Sequence, residues 1–309
     1  MIPLLPRFRR CALLAGIIAL PFPVSAGLLS ALWERAPDPV AVSSVSTENY
    51  AAQKFGPKAP KPETYLFFQG HYFGGTTRDP DLEHAQFLQI AQTLGENMVR
   101  QNYFPTKDQK NADLLIAVHW GVTTTYENPN RQMDLDRLND AMATDIAKGP
   151  NNMDHSEVNS ELAIADLEQG TKEYYIKENS RLLGFDRQIA KEADPSTASG
   201  TTNSSFMSSG ELDLRQLLDE ERFFVILMAY DYHTMKKGTK PTLLWSTRFS
   251  VRAASNRFTV VLPEMSKAAA DYFGRNMDGL KFEAPGLKQG QVDVGTPTVV
   301  KTPAETEKK

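Results

Sequence analysis

Apolar and polar positions alternate most regularly between Leu114 and Val122, where Leu114, Ile116, Val118, Trp120 and Val122 interleave with Leu115, Ala117, His119 and Gly121. Both sets are largely apolar, which predicts an interior strand covered on each face. Phe223 to Tyr232 has the same character. From Leu243 to Val251 the pattern changes: Trp245, Thr247, Phe249 and Val251 alternate with Ser246, Arg248, Ser250 and Arg252. One face of that strand is expected to meet water. The short Lys, Gly and Pro connection around Gly238 and Pro241 predicts an antiparallel hairpin between these two strands, with Lys236, Lys237 and Lys240 on a solvated turn.

Helical spacing appears elsewhere. After a short strand from Thr64 to Phe68 and a loop from Gly70 to Gly75, Asp79 is placed to cap a helix with Pro80 in its first turn, and Phe87, Ala91, Leu94 and Met98 recur at helical intervals. A closing helix is expected from near Pro263 to Gly274, with Met265, Ala268, Ala269 and Tyr272 inward. Residues 127–221 read as a long, polar, mainly helical excursion. Leu135, Leu138, Met142 and Ile146 form one apolar stripe in it, and Leu212, Leu217 and Leu218 another. Its apolar content is thin for a separate core, so it is expected to be an insertion packed on the sheet edge. The order strand, helix, strand, insertion, strand, strand, helix predicts an α+β fold in which a mixed or mainly antiparallel sheet carries helices on one face.

The ends change the picture. Arg7, Arg9 and Arg10 precede a short apolar run from Cys11 to Leu20, then Pro21 and Pro23, then Val24-Ser25-Ala26. That is the layout of an export leader cleaved after Ala26, and the run is about half the ~20 residues needed to span a bilayer. Lipid attachment is not expected, because Cys11 follows Phe8-Arg9-Arg10. The expected organisation is a leader over residues 1–26, a flexible arm over 27–63, one α+β domain over 64–282 with the insertion at 127–221, and a disordered tail over 283–309. A loop rich in Ser, Thr and Gly is expected over residues 196–210. The mature chain is expected to be soluble and periplasmic or otherwise extracytoplasmic, with no transmembrane segment.

The single cysteine lies in the leader, so the mature chain has no disulfide, no thiolate nucleophile and no cysteine-based zinc site. Loss of three arginines with the leader takes the formal charge from −4 to −7. Without a basic stripe, nucleic acid is not an expected partner.

Ala112-Asp113-Leu114-Leu115-Ile116 after an amphipathic helix, and Leu243-Leu244-Trp245 leading into a polar-faced strand and a final helix, resemble a family of bacterial envelope domains of unknown function. Many members of that family carry a lipoprotein leader. The resemblance spans about half of the mature chain and implies an envelope location and the layered fold. It implies no catalytic residues.

The candidate chemistry is sparse. The five histidines form neither a His-x-x-x-His pair nor a His-Glu-x-x-His motif, so no metal site is expected. No cofactor signature is present. Asp134, Asp136, Asp140 and Asp145 lack the glycine and terminal Glu of a calcium loop and read as a helix face. Asp79, Asp81 and Glu83 would repel an anion at the helix that follows the Gly70–Gly75 loop. The ligand candidates are His71, Tyr72, His119, Asp231 and His233. Asp231 and His233, two apart, would share one face of a strand and meet His119 if the strands are neighbours. The leading expectation is an exported, non-enzymatic envelope protein that binds another protein or an envelope polymer. The alternatives are a hydrolase or metal-dependent enzyme using His119, Asp231 and His233, and a membrane-surface factor held by an uncleaved leader through Leu28, Leu29, Leu32 and Trp33.

Overall fold

A computed structural model describes residues 38–57, 61–149, 152–193, 207–238 and 240–284. The expected leader with its cleavage site, the first part of the arm, most of the 196–210 loop and the tail beyond residue 284 lie outside the described residues.

The fold is α+β. Its strands are β1 (Val40–Ser46), β2 (Glu63–Phe73), β3 (Tyr103–Pro105), β4 (Leu114–Val122), β5 (Arg222–Asp231), β6 (Leu243–Arg252) and β7 (Lys281–Glu283). They form one mixed sheet in the order β3-β2-β4-β5-β6-β1-β7. β2 runs parallel to β3 and β4, and the other pairs are antiparallel. The strands predicted at residues 114–122, 223–232 and 243–251 become the three central ones, and the hairpin between the last two is present.

Helix α1 (Glu48–Lys54) links β1 to β2, while α2 (Pro80–Glu83) and α3 (Phe87–Met98) link β2 to β3. Asp79 caps α2, its Oδ1 accepting from the N–H groups of Asp81 and Leu82 at 2.8 and 3.2 Å. The single helix expected here is therefore two, separated by His84–Gln86. The closing helix α9 (Phe258–Ala269) starts five residues before Pro263 and carries that proline inside it. α3 and α9 cover one face of the sheet: Ile90, Leu94 and Met98 meet Leu262, Met265 and Ala269 over Ile116, Val118, Val225, Leu227 and Phe249.

The other face is where the structure departs most from expectation. The insertion holds α4 (Arg131–Ala147), α5 (Ser156–Leu183), α6 (Asp186–Glu192) and α7 (Ser209–Leu218). Ile176, Leu183, Phe185, Leu214 and Leu218 from it pack on Ala41, Phe224 and Ile226, forming a second apolar cluster across the sheet from the first. The insertion is thus a second covering layer and not an edge attachment. Beneath it, Ser246 and Ser250, read as solvent-facing, are 3% and 1% exposed. Alternation identifies a polar face but cannot distinguish water from a polar layer lidded by distant helices. In contrast, Leu135, Met142 and Ile146 of the expected inward stripe are exposed on the α4–α5 hairpin, Ile146 at 77%.

Within the arm expected over 27–63, β1 and α1 are regular elements and β2 begins at Glu63. β1 sits between β6 and β7, and Ser44 Oγ lies 2.7 Å from Thr247 Oγ1 in the buried interior. α1 is anchored by a polar knot. The fully buried Lys54 ammonium donates to the Lys61 carbonyl and to that of Asn102 at 3.2 Å, sits 3.3 Å from Glu63 Oε2, and lies over the Tyr103 ring. Tyr50 donates to Glu63 Oε2 at 2.6 Å and its hydroxyl lies 2.9 Å from that of Tyr103. Burial lowers the Lys54 pKa and raises those of Tyr50 and Tyr103. A buried charge is tolerable only with such partners.

Candidate functional site

β2 is the longest of the described strands, and five of its eleven residues are exposed. Its segment Thr64–Phe73 is rich in aromatics and carries no charge, a composition that favours extended chain. β3 pairs with it only at Glu63, Thr64 and Tyr65. Pro105 ends β3, lacking the N–H that further pairing would need, and the Thr106 N–H makes the last link, to the Tyr65 carbonyl at 3.0 Å. From Leu66 to Phe73, β2 has a strand partner on the β4 side alone among the described residues.

The direction of its main-chain groups follows from two bonds. The Thr64 carbonyl accepts from Asp113, at the start of β4, whereas the Tyr65 carbonyl accepts from Thr106 on the outer side. Successive residues of a strand point their N–H and C=O to opposite sides, so Phe67 and Gln69 also point theirs outward. The strand is therefore an eight-residue edge beyond β3, with free pairing groups and none of the charges or prolines that usually protect such edges.

Side chains complete the surface. Phe68 is 57% exposed and Phe73 36% exposed; both lie on the sheet face that α5–α7 leave open next to β4. The Phe73 ring packs at 5.5 Å from Phe224. Tyr72 faces the opposite layer, 6.2 Å from Trp120. Between Gln69 and Tyr72 the register slips by one residue, a bulge that turns the strand. Gly70 sits in it, and a Cβ there would lie 2.7 Å from the Val118 carbonyl oxygen and 2.8 Å from His119 Nδ1. The bulge lets the His71 N–H donate to His119 Nδ1 at 3.0 Å, with the two rings stacked at 6.2 Å. Burial, and then the neighbouring His71, lower the His119 pKa below the ordinary 6.5. The accepted hydrogen bond requires a neutral imidazole at Nδ1.

Of the five candidates from sequence, His71 and His119 come together here, while Tyr72 is on the same strand but on the other sheet face, against Trp120. The segment Gly70–Phe73, expected as loop, is strand. Asp231 and His233 are elsewhere: Asp231 pairs with Leu114 while His119 pairs with Ile226, about 17 Å apart at ~3.4 Å per residue. They do not share a strand face either, because β5 ends at Asp231. Its carboxylate caps α8 (Tyr232–Lys236) by accepting from the Thr234 N–H at 3.1 Å. His233 Nε2 lies 3.4 Å from Asp113 Oδ1, and Asp113 in turn accepts from Thr64 N–H at 2.8 Å. The triad required by the hydrolase alternative is not assembled. Among the described residues no group of three or more metal-ligating side chains converges, and no helix is long and apolar enough to cross a membrane.

Sequence reasoning missed Phe68 as exposed surface, and it favours a core-roofing role for Tyr72 and Phe73, which are 42% and 36% exposed. The signal was present in the uncharged, aromatic run from Tyr65 to Phe73, which is longer than a three-residue neighbour can cover.

Compared with models of known protein families and with curated proteins, the chain matches none. Among solved structures it is similar to a PDZ domain protein from Parabacteroides distasonis, at 11% identity and a TM-score of 0.33, over 82% of this chain and 41% of that one. The chain spans less than half the length of that protein, and a likeness of this degree carries nothing about activity.

Proposed function

We propose that this protein is an exported, non-enzymatic envelope protein that binds another polypeptide by taking an extended segment of it onto the open edge of β2. The observation that carries this reading is the run from Leu66 to Phe73, paired on one side only and flanked by the exposed Phe68 ring. Main-chain hydrogen bonds from Phe67 and Gln69 would supply affinity, and the aromatic surface on the open face would select side chains of the incoming strand. A large exposed aromatic beside unpaired strand edge is costly to leave wet and favours a protein partner over a polar polymer. The leader at residues 1–26 and the resemblance to envelope domains support the location.

Photocrosslinking from a benzophenone amino acid at position 68, in the native envelope, tests the site. One discrete adduct is expected, and Gln69→Pro should abolish it. Proline removes an outward N–H that β4 does not use, so the sheet should persist. An adduct that survives Gln69→Pro would refute strand addition. N-terminal sequencing of the exported protein should give Gly27; Met1 would refute leader removal.

A further inference from the structure

A second surface, three strands from β2 in the sheet, has a different chemistry. At the end of β1 and β6, under the junction of α5 and α6, lies a cavity of about 290 Å³ whose lining includes Arg181, Arg187 and Arg248, with Ser246 and Asp186. The formal charge of this lining is positive, in a chain whose net charge is −4. Arg248 rises from β6 beside Ser246. Its stem is clamped by Gly184, the left-handed residue that closes α5 at φ 76°. A Cβ on Gly184 would sit 2.8 Å from Ser43 Oγ and 3.2 Å from Arg248 Cδ. The guanidinium is consequently held in place before any ligand arrives.

Its partners do not satisfy it. Nη1 donates to Ser246 Oγ at 2.7 Å, while Nε is buried with no acceptor. Among the described residues no carboxylate lies within 4 Å of Arg248 or Arg187 in an ion pair, and Arg187 acts instead on the exposed Asp278, whose pKa it helps Lys191 to lower. Burial lowers the Arg248 pKa, Asp186 opposes this, and Arg187 reinforces it, so two like charges are close enough to repel. Arg181 at the rim is held by Glu178 at 2.9 Å. Three arginines against the single carboxylate of Asp186, with the Arg248 Nε orphaned, leave an excess of positive charge in the empty protein. An anion that bridges two of them offsets that excess.

We infer that this cavity binds a phosphate group. A dianion with several acceptor oxygens suits two or three guanidinium forks, whereas a single carboxylate would be served by one. The volume, near the lower end of ordinary ligand pockets, has room for a phosphate group together with a small moiety that carries it. This site shares no residue with the β2 edge, so neither reading depends on the other.

The test titrates the full-length mature protein in phosphate-free buffer with inorganic phosphate, by calorimetry, and separately measures its sedimentation with vesicles of phosphatidylcholine with and without phosphatidic acid. Arg187→Gln, on an exposed side chain, and Arg248→Lys, which keeps the charge but loses the fork, should each weaken the response at least tenfold. Arg137→Gln on α4 should leave it unchanged. Phosphate binding that Arg187→Gln abolishes assigns a soluble ligand, and vesicle retention that Arg187→Gln abolishes assigns a lipid headgroup; both support the site. No response in either arm, or one that survives both substitutions, overturns it.

Discussion

Replacing Phe185 with alanine tests whether the insertion is an integral layer of the fold. Phe185 is fully buried at the turn between α5 and α6, its ring 6.4 Å from that of Phe282 and 5.9 Å from the Arg222 guanidinium. It belongs to the cluster that joins Leu183, Leu214 and Leu218 to Phe224 and Ile226. A buried phenylalanine removes about 150–250 Å² from water, worth about 4–6 kcal/mol at ~25 cal/mol per Å². Measured truncations to alanine cost about 3–5 kcal/mol once partial collapse of the cavity is included. At about 2–4 °C per kcal/mol for a domain of this size, Phe185→Ala should lower the melting temperature by about 6–20 °C. Urea unfolding followed by circular dichroism should give the same loss in one transition that includes the sheet. A loss below about 0.5 kcal/mol, the ordinary cost of a surface change, would refute the layer. So would a separate early transition of the helices that leaves the sheet signal intact.

Other outcomes follow from the same contacts. Lys54→Ala leaves Glu63 without its buried cation and should destabilise the protein by about 3–5 kcal/mol, read by urea unfolding; a change below about 1 kcal/mol would mean that the knot around Tyr50 and Tyr103 contributes little. The His119 pKa is lowered in the folded protein, so between its folded value and the ordinary 6.5 the unfolded chain binds the proton more readily. Its contribution is complete above pH 6.5 and is lost as the pH falls below that value. Urea unfolding at pH 7.5 and pH 5 should show a loss that His119→Gln reduces, and an equal loss in the variant would show that other groups are responsible.

How much of this was legible in the sequence depended on where each element finds its partner. β4, β5 and β6 declare themselves because their alternation is strong and their hairpin is local. β1 does not: Val40–Ser46 is short, rich in serine and preceded by Pro37 and Pro39, and its pairing and its Ser44 to Thr247 bond lie about two hundred residues away. β3 and β7, each of three residues, carry too little pattern to register. The second layer was hidden for a related reason. Ser246, Arg248 and Ser250 look like a wet face, and only the fold of α5–α7 over them makes that face a polar interior.

At the candidate site, the sequence names His71 and His119 but associates His119 with Asp231 and His233, and only the parallel pairing of β2 with β4 brings the two histidines together. The pairing of Asp231 with His233 was misjudged because a strand period was continued one residue too far. Asp231 three residues before Thr234 is a helix-cap spacing, and that signal would have ended β5 in the right place. Deleting residues 127–221 would be a poor way to find where a partner binds. Removing them would strip a face from the sheet, so loss of a partner on deletion would not locate a binding surface.

Hydrogen exchange at single-amide resolution on the protein alone, and on its complex with the polypeptide crosslinked at position 68, addresses the central claim most directly. Strand addition to β2 predicts new protection at the Phe67 and Gln69 amides, whose N–H groups point away from β4, with no change along Arg131–Ala147. Protection confined to the α4–α5 hairpin, with Phe67 and Gln69 still exchanging freely, would contradict it.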